Sequence, residues 1–176
     1  MARQKDTAAR GHRLYTDAQR ARRDASVWTT VQGVLAPAQF LVCILSAALV
    51  VRFLMTGEGY LAATVSVLIK TAVLYLIMVT GAIWEKEVFG QYLFAPAFFW
   101  EDVVSFGVIA LHTIYVVALL AGSMGPQALM WLALLAYAAY VINAVQFVWK
   151  LRMARLDMAR TSAAAPPAST PQEVSA

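Results

Sequence analysis

The chain has 176 residues, of which 61% are hydrophobic and 14% are charged. A soluble globular domain has roughly 45–50% apolar and about 25% charged residues, so the composition excludes an ordinary soluble domain. The single cysteine, Cys43, excludes a disulfide framework and a cysteine-based metal site within one chain. The net charge is +4, and the basic residues cluster at the two ends of the sequence. Such clusters beside apolar segments indicate membrane topology more simply than nucleic-acid binding, and we predict no nucleic-acid partner.

In chain order, the first predicted element is a basic cytoplasmic segment at residues 1–26, which we expect to form a helix along the anionic membrane surface. A transmembrane domain at residues 27–156 follows, and each of its four apolar segments approaches the roughly 20 residues that a helix needs to cross a bilayer. Residues 157–176 contain Pro, Ala and Ser without periodicity and are predicted to be disordered. The predicted fold class is an all-α polytopic integral membrane protein, a four-helix bundle with spans at about 33–55, 61–84, 101–121 and 128–150.

The turns of this predicted bundle indicate its orientation. Residues 56–60 and 122–127 are short, Gly-rich and without Lys or Arg. Because the number of spans is even, both termini lie on one side, and the terminal Lys and Arg residues place that side in the cytoplasm. We therefore expect a protein of the inner membrane, cytoplasmic or intracytoplasmic, whose link between the second and third spans also faces the cytoplasm.

Each predicted span carries its polar residues on one helical face. In lipid such residues are costly, so they mark either hydrogen bonds between helices or a functional site. If Lys70, in the second span, has no functional role, its side chain is expected to extend so that the amine reaches the membrane surface. If His112 has none, it is expected to be a hydrogen-bonded imidazole of the core. The polar faces comprise Gln32, Gln39 and Ser46 in the first span, Asp102, Ser105 and His112 in the third, and Tyr140, Asn143, Gln146 and Lys150 in the fourth.

The segment WEKEVFGQYLFAPAFFWED, residues 84–102, combines seven aromatic with four acidic residues. Gly90 and Pro96 are expected to break the helix, and so apolar a segment is expected to lie at the membrane interface or to re-enter the bundle. Carboxyl groups packed among aromatic rings lose solvation, which favours the protonated form. Two such groups close together provide one acid and one base at the same pH. The segment therefore predicts proton transfer to a flat, apolar substrate, with Glu85, Glu87, Glu101 and Asp102 as candidate catalytic residues.

Three other functions can be compared with this hypothesis. A di-haem electron carrier needs pairs of axial histidines within its spans, and the predicted spans contain only His112. A proton-coupled exporter needs an acid near the middle of the bilayer, whereas the four acids lie at one edge. A non-catalytic membrane assembly factor for pigment proteins stays open as the alternative.

Four stretches carry a resemblance to a known family: VQGVLAPAQFLV, LYLIMVTGAIWEKEVFGQYLFAPAFFWEDVVS, IALHTIYVVAL and AYAAYVINAVQF. They closely resemble the 3-vinyl bacteriochlorophyllide hydratase family of bacteriochlorophyll biosynthesis, and the resemblance covers residues 14–156. It implies a photosynthetic hydro-lyase that adds water to the C3 vinyl group of chlorophyllide a or bacteriochlorophyllide a and forms the 3-(1-hydroxyethyl) pigment. The alternative then becomes a non-catalytic, tetrapyrrole-binding membrane assembly factor.

The implied reaction begins when an acid protonates the terminal CH₂ of the vinyl group, and water then attacks the cation. Glu85 and Glu101 each follow a Trp at a helix end, where loss of solvation makes them the best candidates for the acid. Asp102 shares a helical face with Ser105 and His112 and is the candidate base that orients water. No redox cofactor or protein-bound metal is required, and His112 is a candidate axial ligand of the Mg²⁺ that the substrate carries. Candidate substrate-binding residues are His112, Trp84, Tyr92, Phe98, Trp100, Asn143, Gln146 and Gln39.

The resemblance also implies the partners of the protein. They are the chlorophyllide or bacteriochlorophyllide substrate, water and the lipid bilayer. Neighbouring enzymes of bacteriochlorophyll biosynthesis, and a second copy of the chain in a homo-oligomer, are further candidates.

Overall fold

The computed structural model describes residues 14–163. Four of the helices in this range are long and apolar enough to cross a membrane. The predicted all-α fold with four membrane-spanning helices is confirmed. Over residues 14–163 the secondary structure consists of α1 (Asp17–Ala25), α2 (Val27–Thr56), α3 (Tyr60–Phe89), α4 (Phe99–Ala121) and α5 (Pro126–Ala163), without strands.

The chain divides into two compact units, one formed by residues 15–147 and the other including, among the described residues, residues 148–163. In the second unit, α5 continues as a helix to Ala163, whereas the sequence predicts disorder from residue 157 onward. The difference arises because Ala, Arg, Leu and Met, all good helix formers, follow one another at the end of α5. The remainder of the predicted tail and the first half of the predicted N-terminal helix lie outside the described residues.

Side-chain caps determine where α1 and α2 begin. The Thr16 hydroxyl accepts a hydrogen bond from the Gln19 N–H at 3.2 Å, and the Gln19 side chain accepts one from the Thr16 N–H at 2.8 Å. Ser26 ends α1, and its hydroxyl accepts a hydrogen bond from the Trp28 N–H at 3.2 Å. These caps satisfy amide groups that have no partner within their helix. Helix α2 therefore begins at Val27, before the apolar run that marks the span in the sequence.

Helices α2 and α3 form an antiparallel pair joined by a short glycine-containing turn. Gly57 ends α2 with φ 75°, in the left-handed region that glycine adopts more readily than any other residue. Two side-chain contacts fix the register of the pair. The Gln32 amide donates to the Thr80 hydroxyl at 2.7 Å, and the hydroxyls of Ser46 and Ser66 hydrogen-bond to each other at 2.7 Å.

Helices α4 and α5 are also antiparallel, and their register matters for the site described below. The α5 residues level with Asp102 on α4 are those between Asn143 and Phe147. This follows from three contacts that agree with one another: Asn143 with Ser105 (2.7 Å), the rings of Phe147 and Phe98 (5.9 Å), and the rings of Tyr137 and His112 (5.9 Å).

The bundle exposes many large apolar side chains and buries many polar ones beside its apolar core. Leu45 and Leu120, for example, are more than half exposed. This arrangement suits a hydrocarbon solvent, in which polar groups must find their partners inside the protein. The buried polar residues include members of every polar face that the sequence predicts, namely Gln39, Ser46, Asp102, Ser105, His112 and Asn143.

Candidate active site

Two carboxyl groups from different helices meet inside the bundle. Glu85 lies near the C-terminal end of α3 and Asp102 lies in the first turn of α4, and the two residues are 5% and 3% exposed. Their side chains lie within hydrogen-bonding distance of each other. A hydrogen bond between two carboxyl groups requires a proton on one of them. In this carboxyl pair, Glu85 and Asp102, one group can therefore act as an acid while the other acts as a base.

The link between α3 and α4, residues 90–98, folds back over the carboxyl pair. The Phe94 N–H donates to Asp102 Oδ2 at 2.7 Å, and the Ala95 N–H donates to Glu85 Oε2 at 3.2 Å. Gly90 ends α3 with φ 89° and turns the chain toward the pair. Adjacent amides of one short segment thus hold both carboxyl groups in place.

Phe94 adopts φ 57°, in the left-handed region, where an ordinary L-residue is destabilised by about 1–2 kcal/mol. Its amide hydrogen bond to Asp102 and its ring contacts offset this strain, since the ring stacks on Phe106 at 5.4 Å and lies 5.7 Å from Phe99. Strained backbone of this kind persists where the surroundings hold it, and it is frequent at active sites.

The other two candidate catalytic carboxylates occupy different positions. Glu101 is buried in the first turn of α4, immediately before Asp102. Glu87 is exposed, and its Oε2 accepts a hydrogen bond from the Ser26 hydroxyl at 2.7 Å, at the junction of α1 and α2. Residues two apart lie on nearly opposite sides of a helix, so Glu87 points away from Glu85. The structure therefore brings Glu85 and Asp102 together and directs Glu87 elsewhere.

The aromatic residues form two groups, an inner cluster and an outer surface. Phe98 is the centre of the inner cluster, with its ring 5.7 Å from Trp84 and 5.9 Å from Phe89. Burial in this cluster raises the pKa of Tyr15 to about 12, so its phenol stays protonated at neutral pH. The inner cluster consists of Tyr15, Trp84, Phe89, Phe98 and Phe147.

The outer aromatic surface lies on the link and the first turns of α4. Phe94 joins it to the carboxyl pair, because its ring is exposed on this surface while its N–H donates to Asp102. Of the predicted substrate-binding aromatics, Trp84 and Phe98 belong to the inner cluster, and Tyr92 and Trp100 are more than half exposed. The exposed aromatic residues here are Tyr92, Phe94, Phe99, Trp100 and Phe106.

Two predicted amides lie level with the carboxyl pair. The Asn143 side chain donates from Nδ2 to the Ser105 hydroxyl at 2.7 Å. Asn143 Oδ1 and Gln146 Oε1 are buried, and within residues 14–163 neither has a hydrogen-bond partner. Two hydrogen-bond acceptors therefore remain available beside Asp102.

His112 lies deeper in the bundle than the carboxyl pair. It follows Asp102 by ten residues on α4, which corresponds to about 15 Å along the helix. Its side chain is 0% exposed, and Nδ1 lies 2.8 Å from the Val108 carbonyl oxygen. Nδ1 must carry the proton in that contact, so Nε2 presents its lone pair, and it has no hydrogen-bond partner in the described part of the chain. A buried imidazole with a free acceptor nitrogen differs from a fully hydrogen-bonded core histidine.

Lys70 is also fully buried, at 0% exposure. The alternative prediction, that its amine extends to the membrane surface, is therefore wrong. Its Nζ lies 3.8 Å from the centre of the Tyr140 ring. It precedes Glu85 by 15 residues on α3, about 22 Å along the helix, so it cannot act on the same atoms as the carboxyl pair.

Comparison with known proteins gives the family of this chain. The family model described as 2-vinyl bacteriochlorophyllide hydratase matches residues 15–153, which include every candidate site residue. A protein of Cereibacter sphaeroides named 2-vinyl bacteriochlorophyllide hydratase is 71% identical over 152 residues, covering 86% of this chain and 94% of the relative. A protein of Rhodobacter capsulatus with the same name is 68% identical over 150 residues, covering 85% and 87%. The chain belongs to the 2-vinyl bacteriochlorophyllide hydratase family.

Membership of this hydratase family confirms the family that the sequence motifs resemble, and it makes the protein an enzyme of the hydro-lyase class. The non-catalytic assembly factor is therefore disfavoured. No solved structure matches the chain.

Several groups at the candidate site were not predicted from the sequence. The N–H groups of Phe94 and Ala95 contact the carboxyl pair through the backbone, which a pattern of side chains does not reveal. Tyr15 and Phe147 join the inner cluster from distant parts of the sequence. The one sequence feature that indicated a turn in the link was the presence of two helix-breaking residues, Gly90 and Pro96.

Proposed function

We propose that this hydratase adds water across the vinyl group of bacteriochlorophyllide a or chlorophyllide a and forms the 1-hydroxyethyl pigment. The vinyl-bearing ring position is C3 in the numbering used above and is numbered 2 in the relatives' names. The observation that carries the proposal is the buried carboxyl pair, in which Glu85 and Asp102 approach each other from two helices. Hydration of an alkene needs an acid and a base at the same place, and the pair supplies both.

The surroundings of the pair favour Asp102 as the base and Glu85 as the acid. Asp102 lies in the first turn of α4, where the helix dipole stabilises negative charge, and it accepts the shorter amide hydrogen bond, 2.7 Å from Phe94. Glu85 lies near the C-terminal end of α3, where the same dipole disfavours negative charge, and its amide contact with Ala95 is 3.2 Å. Both differences favour Glu85 as the carboxyl group that carries the proton.

The reaction then proceeds in two steps. Glu85 gives its proton to the terminal CH₂ of the vinyl group, which becomes CH₃, and the positive charge on the carbon next to the ring is delocalised into the macrocycle. Water attacks this carbon and loses a proton to Asp102. The negative charge of the pair stabilises the cation in a site of low dielectric constant. The contact between the two carboxyl groups lets the proton return from Asp102 to Glu85, which restores the enzyme.

The acceptors near Asp102 suggest a position for the attacking water. A water molecule donates two hydrogen bonds, and Asp102, Asn143 Oδ1 and Gln146 Oε1 are acceptors at the same level of the bundle. One donated bond to an amide oxygen and the other to Asp102 would direct an oxygen lone pair at the substrate. We propose that Asn143 and Gln146 position the water rather than contact the pigment ring.

The Mg²⁺ of the substrate fits His112. The Val108 carbonyl fixes the tautomer of the ring, so the unpartnered lone pair of Nε2 is available as an axial ligand. His112 is fully buried, so binding of the macrocycle would require the helices around it to separate. Aromatic residues of the link and of α4, including Phe94 on the outer aromatic surface, would contact the macrocycle as it enters from the bilayer. Neither chemical step requires a redox cofactor or a metal bound by the protein.

A direct assay tests the proposed function. Purified protein in detergent should convert a 3-vinyl chlorophyllide into a product heavier by the mass of one water, with its long-wavelength absorption band shifted to the blue because conjugation is shortened. In water enriched in heavy oxygen, the new hydroxyl group should carry the label. Tight pigment binding without addition of water to any vinyl pigment would contradict the proposal and favour the assembly factor.

A further inference from the structure

In the part of the chain that the structure describes, Lys70 is a cationic side chain in the bundle that forms no ion pair with an acid. Within residues 14–163 its Nζ has no hydrogen-bond partner, and its closest described contact is the face of the Tyr140 ring at 3.8 Å. The acidic residues nearest to it along the chain, Glu58 and Glu85, lie about 18 and 22 Å away along the helical axis. A lysine buried in this way in a membrane protein usually marks a functional site, because burial of an unpaired charge is costly.

Gln39 lies about one helical turn from Lys70. The Gln32–Thr80 and Ser46–Ser66 hydrogen bonds set the antiparallel register of α2 and α3, which places Gln39 level with Val73 and about 4.5 Å along the axis from Lys70. Gln39 is 1% exposed. Both polar atoms of its amide, Nε2 and Oε1, lack a hydrogen-bond partner in the part of the chain that the structure describes. Two buried side chains on adjacent helices, about one helical turn apart, therefore offer N–H donors without partners, whereas most buried polar groups in native proteins do have partners.

His112 is close enough to interact electrostatically with Lys70, but the two groups do not hydrogen-bond to each other. The two residues also differ in what they can bind. His112 Nε2 is an acceptor and suits a metal ion, whereas the Lys70 amine and the Gln39 amide supply donors and suit an anion. A ligand that carried a metal ion and, a short distance away, a negatively charged group would satisfy all three.

We propose that Lys70 and Gln39 form a binding site for the carboxylate side chain of the pigment substrate. This inference rests on the proposed function, because a chlorophyllide is the pigment whose propionic acid side chain is free rather than esterified. With the Mg²⁺ at His112 and the carboxylate at Lys70 and Gln39, the macrocycle would be held at two points and could not rotate about the bond between Mg²⁺ and His112. The vinyl group, on a neighbouring pyrrole ring, could then point toward the carboxyl pair. The site would select the free acid over the esterified pigment.

The ratio of affinities for a 3-vinyl chlorophyllide and for its methyl ester tests this site. The full-length protein in detergent is titrated with each pigment by absorption, so that the readout does not depend on turnover. Wild-type protein should bind the free acid more tightly by at least about tenfold, the equivalent of one hydrogen bond to a charged group. In Lys70→Met the ratio should fall to about one, while Lys70→Arg, which keeps the charge, should retain part of the preference.

The controls separate failure of this site from failure of the proposed function. Arg52→Met removes an exposed cation from α2 and should leave the ratio unchanged. Because the ratio is taken within each variant, a partly unfolded sample does not alter it, and Gln39→Leu provides a second variant if Lys70→Met does not fold. Equal affinities in wild type, or an unchanged ratio in both variants, would overturn the site even if hydration occurs. A preserved preference in a protein that hydrates neither pigment would instead contradict the proposed function.

Discussion

Glu85→Gln separates proton transfer from packing at the carboxyl pair. Glutamine keeps the shape of the side chain and can still accept the hydrogen bond from the Ala95 amide, but it has no acidic proton to give. We expect the variant to fold and to bind pigment, and to lose at least about 10²-fold in hydration rate, the usual contribution of a positioned acid. Initial rates at saturating pigment, measured beside an absorption titration, distinguish the two properties.

Two neighbouring carboxylates provide controls for this prediction. Glu87→Gln changes the same side chain on the same helix, but Glu87 bonds to Ser26, so most of the wild-type rate should remain. Glu101→Gln tests the second acid that the sequence predicts, and the pairing of Glu85 with Asp102 leads us to expect a smaller loss than in Glu85→Gln. Near-normal turnover of Glu85→Gln would place the acid outside the carboxyl pair.

His112→Ala tests the axial ligand. If Nε2 binds the substrate Mg²⁺, the variant should bind the magnesium pigment roughly tenfold more weakly, a loss of about 1.4 kcal/mol, and should bind the metal-free pigment almost as wild type does. Absorption titrations with both pigments measure this difference. Equal weakening for the two pigments, or loss of stability in detergent with unchanged affinity, would assign His112 a packing role in the core.

At the scale of elements, the link depends on where α3 ends. Gly90 has φ 89°, and the space around a Cβ at this position is open, so Gly90→Ala should act through backbone strain alone. We expect it to lower the free energy of unfolding by about 1–2 kcal/mol, the usual cost of a left-handed L-residue. It should also lower the hydration rate, because the link positions the Phe94 and Ala95 amides on the carboxyl pair.

Gly57→Ala is the matched control for Gly90→Ala. Gly57 ends α2 with φ 75°, and a Cβ there would also meet open space, so the loss of stability should be similar. Its turn joins α2 to α3 at the opposite end of α3 from the carboxyl pair, and turnover should be kept. Unfolding in detergent and initial rates give both quantities, and equal losses of turnover in the two variants would argue against a role of the link in catalysis.

The sequence predicts the elements well because the bilayer constrains them strongly. Four apolar runs of sufficient length leave few alternatives to four spanning helices, and glycines mark the ends of α2, α3 and α4. The ends of helices are predicted less well. Hydropathy marks the part of a helix that lies in hydrocarbon, while caps such as Ser26 and Gly90 lie beyond it.

The pairing within the site could not be predicted in the same way. Glu101 and Asp102 are adjacent, and only the rotation of α4 about its axis decides which of them faces Glu85. Packing against α5, for example the bond between Ser105 and Asn143, fixes that rotation, and no local pattern records it. The positive φ of Phe94 likewise has no sequence signal, because glycine is the residue usually found there.

At the scale of the whole molecule, hydrogen bonds between helices add specific contacts to an apolar core that includes Val50, Val67 and Val108. Association of helices in lipid gains little from apolar burial, and a polar contact contributes about 0.6 kcal/mol on average. Polar contacts of this modest strength are compatible with a bundle that opens to admit a flat pigment. The contacts between α2, α3, α4 and α5 include Gln32 with Thr80, Ser46 with Ser66 and Tyr137, Tyr75 with Thr113, and Ser105 with Asn143.

The orientation of the bundle follows from its charges and can be tested directly. Eleven of the 14 Lys and Arg residues lie before residue 24 or after residue 149, and the turns 56–60 and 122–127 contain none. Positively charged segments stay in the cytoplasm, so both termini and the link should lie there. Reporter fusions after Gly57 and Gly125 should give periplasmic signals, and a fusion after Gly90 a cytoplasmic one. A cytoplasmic signal from either turn would reverse this topology and place the carboxyl pair at the periplasmic end of the bundle.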